Sequence, residues 1–291
     1  MDKKNSGWQT QAMSKAYLEG VRGAIPLADK QLEIMLAIIR SWCPDPKSMI
    51  DLGCGDGVLG RAILDCFPDA HAIFIDFSDT MIEAAHKKIK TTDSVKIIKA
   101  DYSTPEWLMS FDQPCQADQC CQADRTSQAD QRCQPDQRCQ PDHRCQPDQP
   151  CQADQTDQTG AGGSDLIVSG LSIHHQPDTR KKELYAEIFS LLNPGGLFLN
   201  LEHVLPATRA TESLFDEYFI DHLYEYHRLS DKTITREQIA EMYYGRQNKK
   251  ENILAPVELQ CEWLRQIGFK DVDCFFKIFE LALFGGRKAN I

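Results

Sequence analysis

Apolar positions along the chain follow two different periods. Short apolar runs, Met49-Ile50-Asp51-Leu52, Ala72-Ile73-Phe74-Ile75-Asp76, Val95-Lys96-Ile97-Ile98-Lys99-Ala100, Asp165-Leu166-Ile167-Val168-Ser169 and Leu197-Phe198-Leu199-Asn200-Leu201, read as buried strands. Between them the period lengthens to that of a helix. Leu27 to Trp42 puts Leu32, Met35, Leu36 and Ile39 on one stripe and stops before Pro44 and Pro46. Val58 to Leu64 is helical, and Thr80 to Ala85 follows Ser78 as an N-cap. Lys87, Lys88 and Lys90 suit the end of that helix through its dipole. Asp178 to Leu192 predicts a helix stopped by Asn193-Pro194-Gly195-Gly196, and Val257 to Ile267 another stopped by Gly268. Val272 to Lys277 and Phe279 to Phe284 read as the two closing strands. The N-terminal stretch Trp8 to Leu18 is loosely amphipathic, and Ala207 to Asn252 reads as helices. The latter carry Phe215, Tyr218, Phe219, His222, Tyr224, Tyr226, His227, Tyr243 and Tyr244, a set that suits a substrate pocket or half-exposed packing equally well.

The first strand runs directly into Gly53-Cys54-Gly55-Asp56-Gly57 and then a helix. Glycines at such a turn take positive φ and let a ligand approach where a Cβ would collide. Free N–H groups at the following helix start face that ligand. The second strand ends in Asp76, about 20 residues on, the distance at which an acid takes both ribose hydroxyls of a nucleotide. The third ends in Asp101.

Together these residues resemble the Rossmann-like S-adenosylmethionine-dependent methyltransferases. Asp51-Leu52-Gly53-Cys54-Gly55-Asp56-Gly57 is similar to the first motif of that family, Asp76 to its ribose acid, and Asp101-Tyr102 to the pair flanking the adenine. Asp165 to Ser169 resembles the fourth strand, and Leu191-Leu192-Asn193-Pro194-Gly195-Gly196 the turn before the fifth. The resemblance implies an α/β fold: a Rossmann-like, seven-stranded, mostly parallel sheet with an antiparallel final strand, helices on both faces, and helical lid elements ahead of the first strand. It implies S-adenosyl-L-methionine as cofactor, held by Asp51, Gly53, Gly55, Gly57, Asp76, Phe77, Met81, Asp101, Tyr102 and Ser169. Arg22, the lone cation in Gly20-Val21-Arg22-Gly23-Ala24-Ile25-Pro26, occupies a position resembling one where relatives place an arginine on the cofactor carboxylate; a solvated surface arginine is the other reading.

Open α/β sheets bind ligands at the carboxyl ends of their strands. His174 follows the fourth strand, and Glu202 and His203 leave the fifth, so the three are candidate catalytic groups beside the methyl group. Histidine suits proton removal near neutral pH. The alternative roles are helix capping by His174 and His175, and orientation of Glu202 by His203. Methyl transfer to oxygen or nitrogen of a small molecule is the favoured activity. The tail Asn252 to Glu258 also resembles carboxy-S-adenosylmethionine synthases, which leaves synthesis of a modified cofactor as one alternative and a non-catalytic binding module as another. No Asn-Pro-Pro-Tyr-like signature follows the fourth strand, against base methylation of nucleic acid.

Composition changes this picture in one region. Between Cys115 and Gly163 the chain repeats six-residue units of the kind Cys133-Gln134-Pro135-Asp136-Gln137-Arg138, with almost no aliphatic or aromatic side chains. Such a tract cannot recover its ordering entropy by burial, so a disordered insertion is expected within a single domain formed by residues 1–114 and 164–291. Seven of the 12 cysteines lie in it, but spaced unlike the close pairs of zinc sites, and no metal is expected. The other five act as small buried hydrophobes, with no disulfide framework. The net charge of −11 argues against a nucleic-acid partner. With no signal peptide and no long apolar run, a soluble cytoplasmic protein without membrane contact is expected.

Overall fold

The computed structural model describes residues 22–112, 163–245 and 252–290. The chain divides into two compact units, Met1–Ser110 with Gly163–Ile291, and Phe111–Gly162; the first is described below. The repeat tract and the Trp8 to Leu18 stretch lie outside the described residues.

Seven strands form one sheet: β1 (Ser48–Leu52), β2 (His71–Asp76), β3 (Val95–Lys99), β4 (Ser164–Gly170), β5 (Leu192–His203), β6 (Lys270–Ile278) and β7 (Leu281–Arg287). Their order is β3-β2-β1-β4-β5-β7-β6. The pairs β3–β2, β2–β1, β1–β4 and β4–β5 are parallel, whereas β7 runs antiparallel to both neighbours. The order reverses between β1 and β4, and that switch point opens a crevice at the strands' carboxyl ends.

Helices α1 (Ala28–Trp42), α2 (Val58–Cys66) and α3 (Asp79–Lys88) cover one face. Met35, Ile39, Ile63 and Ala85 pack there on Phe74, Leu166, Val168, Leu197 and Leu199. Alternate residues of β5 turn to the other face, where α4 (Asp178–Leu191) and α7 (Val257–Ile267) lie. Phe198 meets the Tyr185 ring of α4 at 5.7 Å. With both faces covered, the inner strands are apolar almost throughout, which explains why they read as continuous runs. Helix α1 sets Met35 and Ile39 into this core, with Leu32 and Leu36 partly buried beside them.

A second core joins the 3-10 turn Arg22–Ala24 to α5 (Arg209–His227) and α6 (Arg236–Tyr244). Ala24, Phe215, Phe219, Leu223, Ile239 and Tyr243 fill it, resting on Leu171, Ile278 and Leu281. Each helix opens on a capping box, Thr208 with Thr211 and Thr235 with Gln238. Much of the aromatic set is therefore packing: the buried Tyr243 hydroxyl donates to Asp216 Oδ1 at 2.6 Å.

Several boundaries differ from expectation for identifiable reasons. Strand β5 begins at Leu192, since Leu192 already pairs with Ser164 before a register shift, and Lys288 Nζ donates to the carbonyls of Phe189 and Leu192 at 3.0 and 2.7 Å, closing the end of α4. The last strand runs Leu281–Arg287, because Phe279 and Glu280 form the turn of the β6–β7 hairpin. The segment after Pro105 is a 3-10 helix (Pro105–Asp112). Ser78 occupies the N-cap position of α3, but its side chain makes no capping bond. No helix among the described residues is long and apolar enough to cross a membrane.

Candidate active site

The turn after β1 carries all three glycines at positive φ: Gly53 at 71°, Gly55 at 58° and Gly57 at 80°. They differ in what surrounds them. A Cβ on Gly53 would lie 1.9 Å from Ser172 Oγ, and one on Gly57 would lie 2.4 Å from Ile89 Cδ1, so both permit packing of neighbouring chain segments. A Cβ on Gly55 would meet only Met81 Sδ, at 3.8 Å. The space over Gly55 is open, which is the approach a ligand needs.

Asp76 ends β2 beside that opening. Its Oδ2 accepts the Gly55 N–H and its Oδ1 the Ser78 N–H, both at 2.9 Å. The carboxyl is 6% exposed; burial raises its pKa, and these backbone donors offset part of the rise. A carboxylate offers about four acceptor sites, so capacity remains for two more donors. Asp56, buried in the same turn, pairs with Lys88 Nζ at 2.6 Å, tying α3 to the turn. The Lys88 charge thus does more than complement a helix dipole.

Other expected cofactor residues fall in three places. Tyr102 is buried and its hydroxyl bonds Ser172 Oγ, while its carbonyl accepts from Arg180 Nε at 2.9 Å. That guanidinium also holds Glu187, at 2.7 and 2.6 Å, and Glu187 accepts the Trp107 indole N–H at 2.7 Å. Met81 borders the Gly55 opening from the start of α3, Phe77 is half-buried just before that helix, and Asp101 is exposed, accepting the Ser103 N–H at 2.9 Å. Asp51 and Ser169 lie beneath the turn: Asp51 Oδ2 accepts the Gly60 N–H at 2.9 Å, and Ser169 Oγ donates to the Leu52 carbonyl at 2.8 Å. In these positions they hold the turn on the sheet. The Arg22 side chain lies outside the described residues.

At the adjacent strand ends two carboxylate–histidine pairs form. His174 Nδ1 is 2.6 Å from Glu202 Oε1, and the His174 N–H donates to Oε2 at 3.0 Å. Both residues are buried, at 6% and 1% exposure. Burial pushes the Glu202 carboxyl up to about 7. Burial, then His203 and Lys181, pushes the His174 imidazole well below its ordinary range. His174 Nε2 has no hydrogen-bond partner among the described residues. His203 is committed at both ring nitrogens: Nε2 lies 2.6 Å from Glu280 Oε2, and Nδ1 lies 3.4 Å from Asn252 Nδ2. A carboxamide nitrogen only donates, so Nδ1 accepts and the ring proton sits on Nε2. The backbone N–H of His203 donates to Glu202 Oε1 at 2.8 Å, so the chain at His203, and not its ring, helps to orient Glu202. His174 and His175 form a 3-10 turn and Pro177 takes the N-cap of α4, so neither histidine caps that helix.

Sequence reasoning missed the residues that assemble these pairs. Lys181, 1% exposed, donates to Asp178 Oδ1 at 2.8 Å and to the Ile253 carbonyl, and the Ile253 N–H donates to the His174 carbonyl at 2.9 Å. Leu171, at φ 50°, turns the chain from β4 toward Ser172 and His174. A leucine in that region is strained, as happens at functional sites. No local signal marks Glu280, Asn252 or Ser172, whose partners lie 77, 49 and 70 residues away.

A methyltransferase-domain model matches residues 49–134. A malonyl-[acyl-carrier protein] O-methyltransferase of Halalkalibacterium halodurans is 37% identical over 75 residues, 26% of this chain and 28% of that protein. Ribosomal RNA large subunit methyltransferase G of Pseudoalteromonas atlantica is 41% identical over 63 residues, 21% of this chain and 16% of the relative. The chain thus spans less than a third of the length of these curated relatives. Among solved structures, an O-methyltransferase family protein from Burkholderia thailandensis aligns with TM-score 0.54 and 14% identity, covering 96% of this chain and 59% of that one. At that identity the likeness is one of fold.

Proposed function

We propose that this chain, a member of the Rossmann-like S-adenosylmethionine-dependent methyltransferases, transfers a methyl group to an oxygen or nitrogen of a small molecule. The observation that carries the reading is the joining of Asp76 to Gly55 beside an open approach, with His174 and Glu202 at the neighbouring strand ends. The residues present fit S-adenosylmethionine. Asp76 has acceptor capacity for the ribose hydroxyls, the Gly55 backbone admits a close ligand, and Met81 provides an apolar border. When bound, that cofactor would supply a sulfonium methyl group to the acceptor atom, with the electron pair of the carbon–sulfur bond left on sulfur and the acceptor's proton released.

The chain's own contribution is positioning, exclusion of water and removal of that proton. His174 is the suited acceptor, through Nε2. Glu202 holds it by ring and backbone at once, fixing the tautomer and balancing the imidazolium that would form. His203 has no free ring nitrogen and acts as a structural partner of Glu280. The insertion expected over residues 115–163 falls in sequence between β3 and β4, and added length in a connection costs little entropy.

The acidic balance of the chain weighs against nucleic acid as acceptor, although several relatives are named for ribosomal RNA; those matches span 60 to 67 residues. Incubating the purified protein with methyl-labelled cofactor and a fractionated metabolite extract tests the reading. Label should appear in a small molecule, and His174→Ala should abolish most of it. Label found only in RNA would overturn the small-molecule assignment.

A further inference from the structure

Beyond the dyad that serves proton transfer, the second pair has no task in the reading above, and its surroundings are specific. Glu280 is 4% exposed, its Oε2 is engaged by His203 Nε2, and its Oε1 has no hydrogen-bond partner among the described residues. A buried carboxylate oxygen left without a donor costs free energy that some function must justify.

Through its partner His203, Glu280 adjoins a run of aromatic rings. The His203 ring lies 6.0 Å from Phe215, Phe215 lies 6.2 Å from Phe279, and Phe279 lies 5.5 Å from Tyr218. Phe279 itself is held at φ 48° in the β6–β7 turn and stays 39% exposed. A phenylalanine in the left-handed region is strained, and exposure returns little burial energy for that strain. The turn lies at the carboxyl end of the sheet, because His203 pairs with Leu281, the end at which this fold binds its ligands.

Charge narrows the choice of ligand. Among the described residues no lysine or arginine forms an ion pair with Glu202 or Glu280. A carboxylate close to aromatic rings, without a lysine or arginine partner, is chemistry suited to an ammonium group. An anionic acceptor would instead meet the buried Glu280 carboxylate, an unfavourable approach in a medium of low dielectric.

We infer that the methyl acceptor is a cationic amine whose ammonium group is received by Glu280 beside the run of aromatic rings that leads from His203 to the exposed Phe279. The inference rests on the methyltransferase reading and specifies its substrate class. The named relative whose acceptor is a malonyl group aligns over 75 residues only, so its acceptor side sets no precedent for this pocket.

Three probes of one size and different charge test it: benzylamine, benzyl alcohol and benzoate, titrated calorimetrically into the full chain saturated with S-adenosylhomocysteine. Benzylammonium should bind about tenfold or more tighter than the other two. Glu280→Gln, which keeps the shape and an acceptor for His203, should erase that preference while leaving cofactor affinity and melting temperature near wild type. Phe279→Ala should weaken benzylammonium by about three- to tenfold and leave benzyl alcohol little changed. Equal binding of the three probes to the wild-type protein, or a preference for benzoate, overturns the inference, and this arm needs no variant to fold. Failure of S-adenosylhomocysteine itself to bind would instead refute the methyltransferase reading, so the two outcomes are separable.

Discussion

Glu202 holds His174 twice, accepting its backbone N–H at 3.0 Å with one oxygen and facing ring Nδ1 at 2.6 Å with the other. The imidazole is thereby fixed in orientation and tautomer, with Nε2 the atom able to take a proton. If this is how the acceptor nucleophile is freed, His174→Ala lowers kcat by about 10²-fold or more with cofactor affinity intact. Steady-state kinetics on the substrate, paired with cofactor calorimetry, checks both halves. Full turnover in that variant would remove His174 as the base.

The same pair makes a pH prediction through linkage. Glu202 has a folded pKa of about 7, raised from 4.5 by burial. Its contribution to stability is therefore present below about 4.5 and lost as pH rises through about 7. His174 is shifted the other way, below its ordinary 6.5, so its contribution is present above 6.5 and lost as pH falls. In the wild type the two terms oppose one another across the weakly acidic range. Glu202→Gln leaves only the histidine term, so the variant should lose more stability relative to wild type at pH 5 than at pH 8. Urea unfolding at the two pH values measures this; an equal loss at both would contradict the assigned shifts.

Gly53 and Gly55 separate packing from ligand approach. A methyl group at Gly53 would strike Ser172, at 1.9 Å, and the residue sits at φ 71°, so Gly53→Ala should cost about 1–3 kcal/mol of stability. Gly55→Ala meets open space and should cost only the modest strain of its positive φ, on the order of 1 kcal/mol, yet weaken the cofactor by about tenfold or more because the added methyl occupies the ligand's approach. Melting curves and cofactor titration of the two variants should rank them in opposite orders.

What the sequence showed, and what it hid, follows from the range of the interactions. The glycine turn, the acids at strand ends and the helix stripe of Met35 and Ile39 are local signals, and the structure places them in the expected elements. Of the helical aromatics, Phe215, Phe219 and Tyr243 are buried in one core and Tyr244 is exposed. Glu280 was invisible as a partner of His203 because the antiparallel insertion of β7 beside β5 alone brings them together. Its turn was hidden as well: Phe279 takes φ 48° without the glycine or asparagine that would announce it, and the expected strand therefore ran through it. The sequence also did not show the partners of Asp51 and Ser169, whose side chains bond the Gly60 N–H and the Leu52 carbonyl.

The central claim is that the opening over Gly55, closed on one side by Asp76, holds S-adenosylmethionine. Calorimetric titration of the cofactor into the wild-type protein and into Asp76→Ala tests it most directly. The expected result is one site in the wild type and a loss of about 2–3 kcal/mol in the variant, the cost of leaving the ribose hydroxyls without a charged acceptor, with melting temperature followed in parallel because Asp76 also receives the Gly55 and Ser78 N–H groups. Equal affinity in a folded Asp76→Ala, or no binding to the wild type, would contradict it.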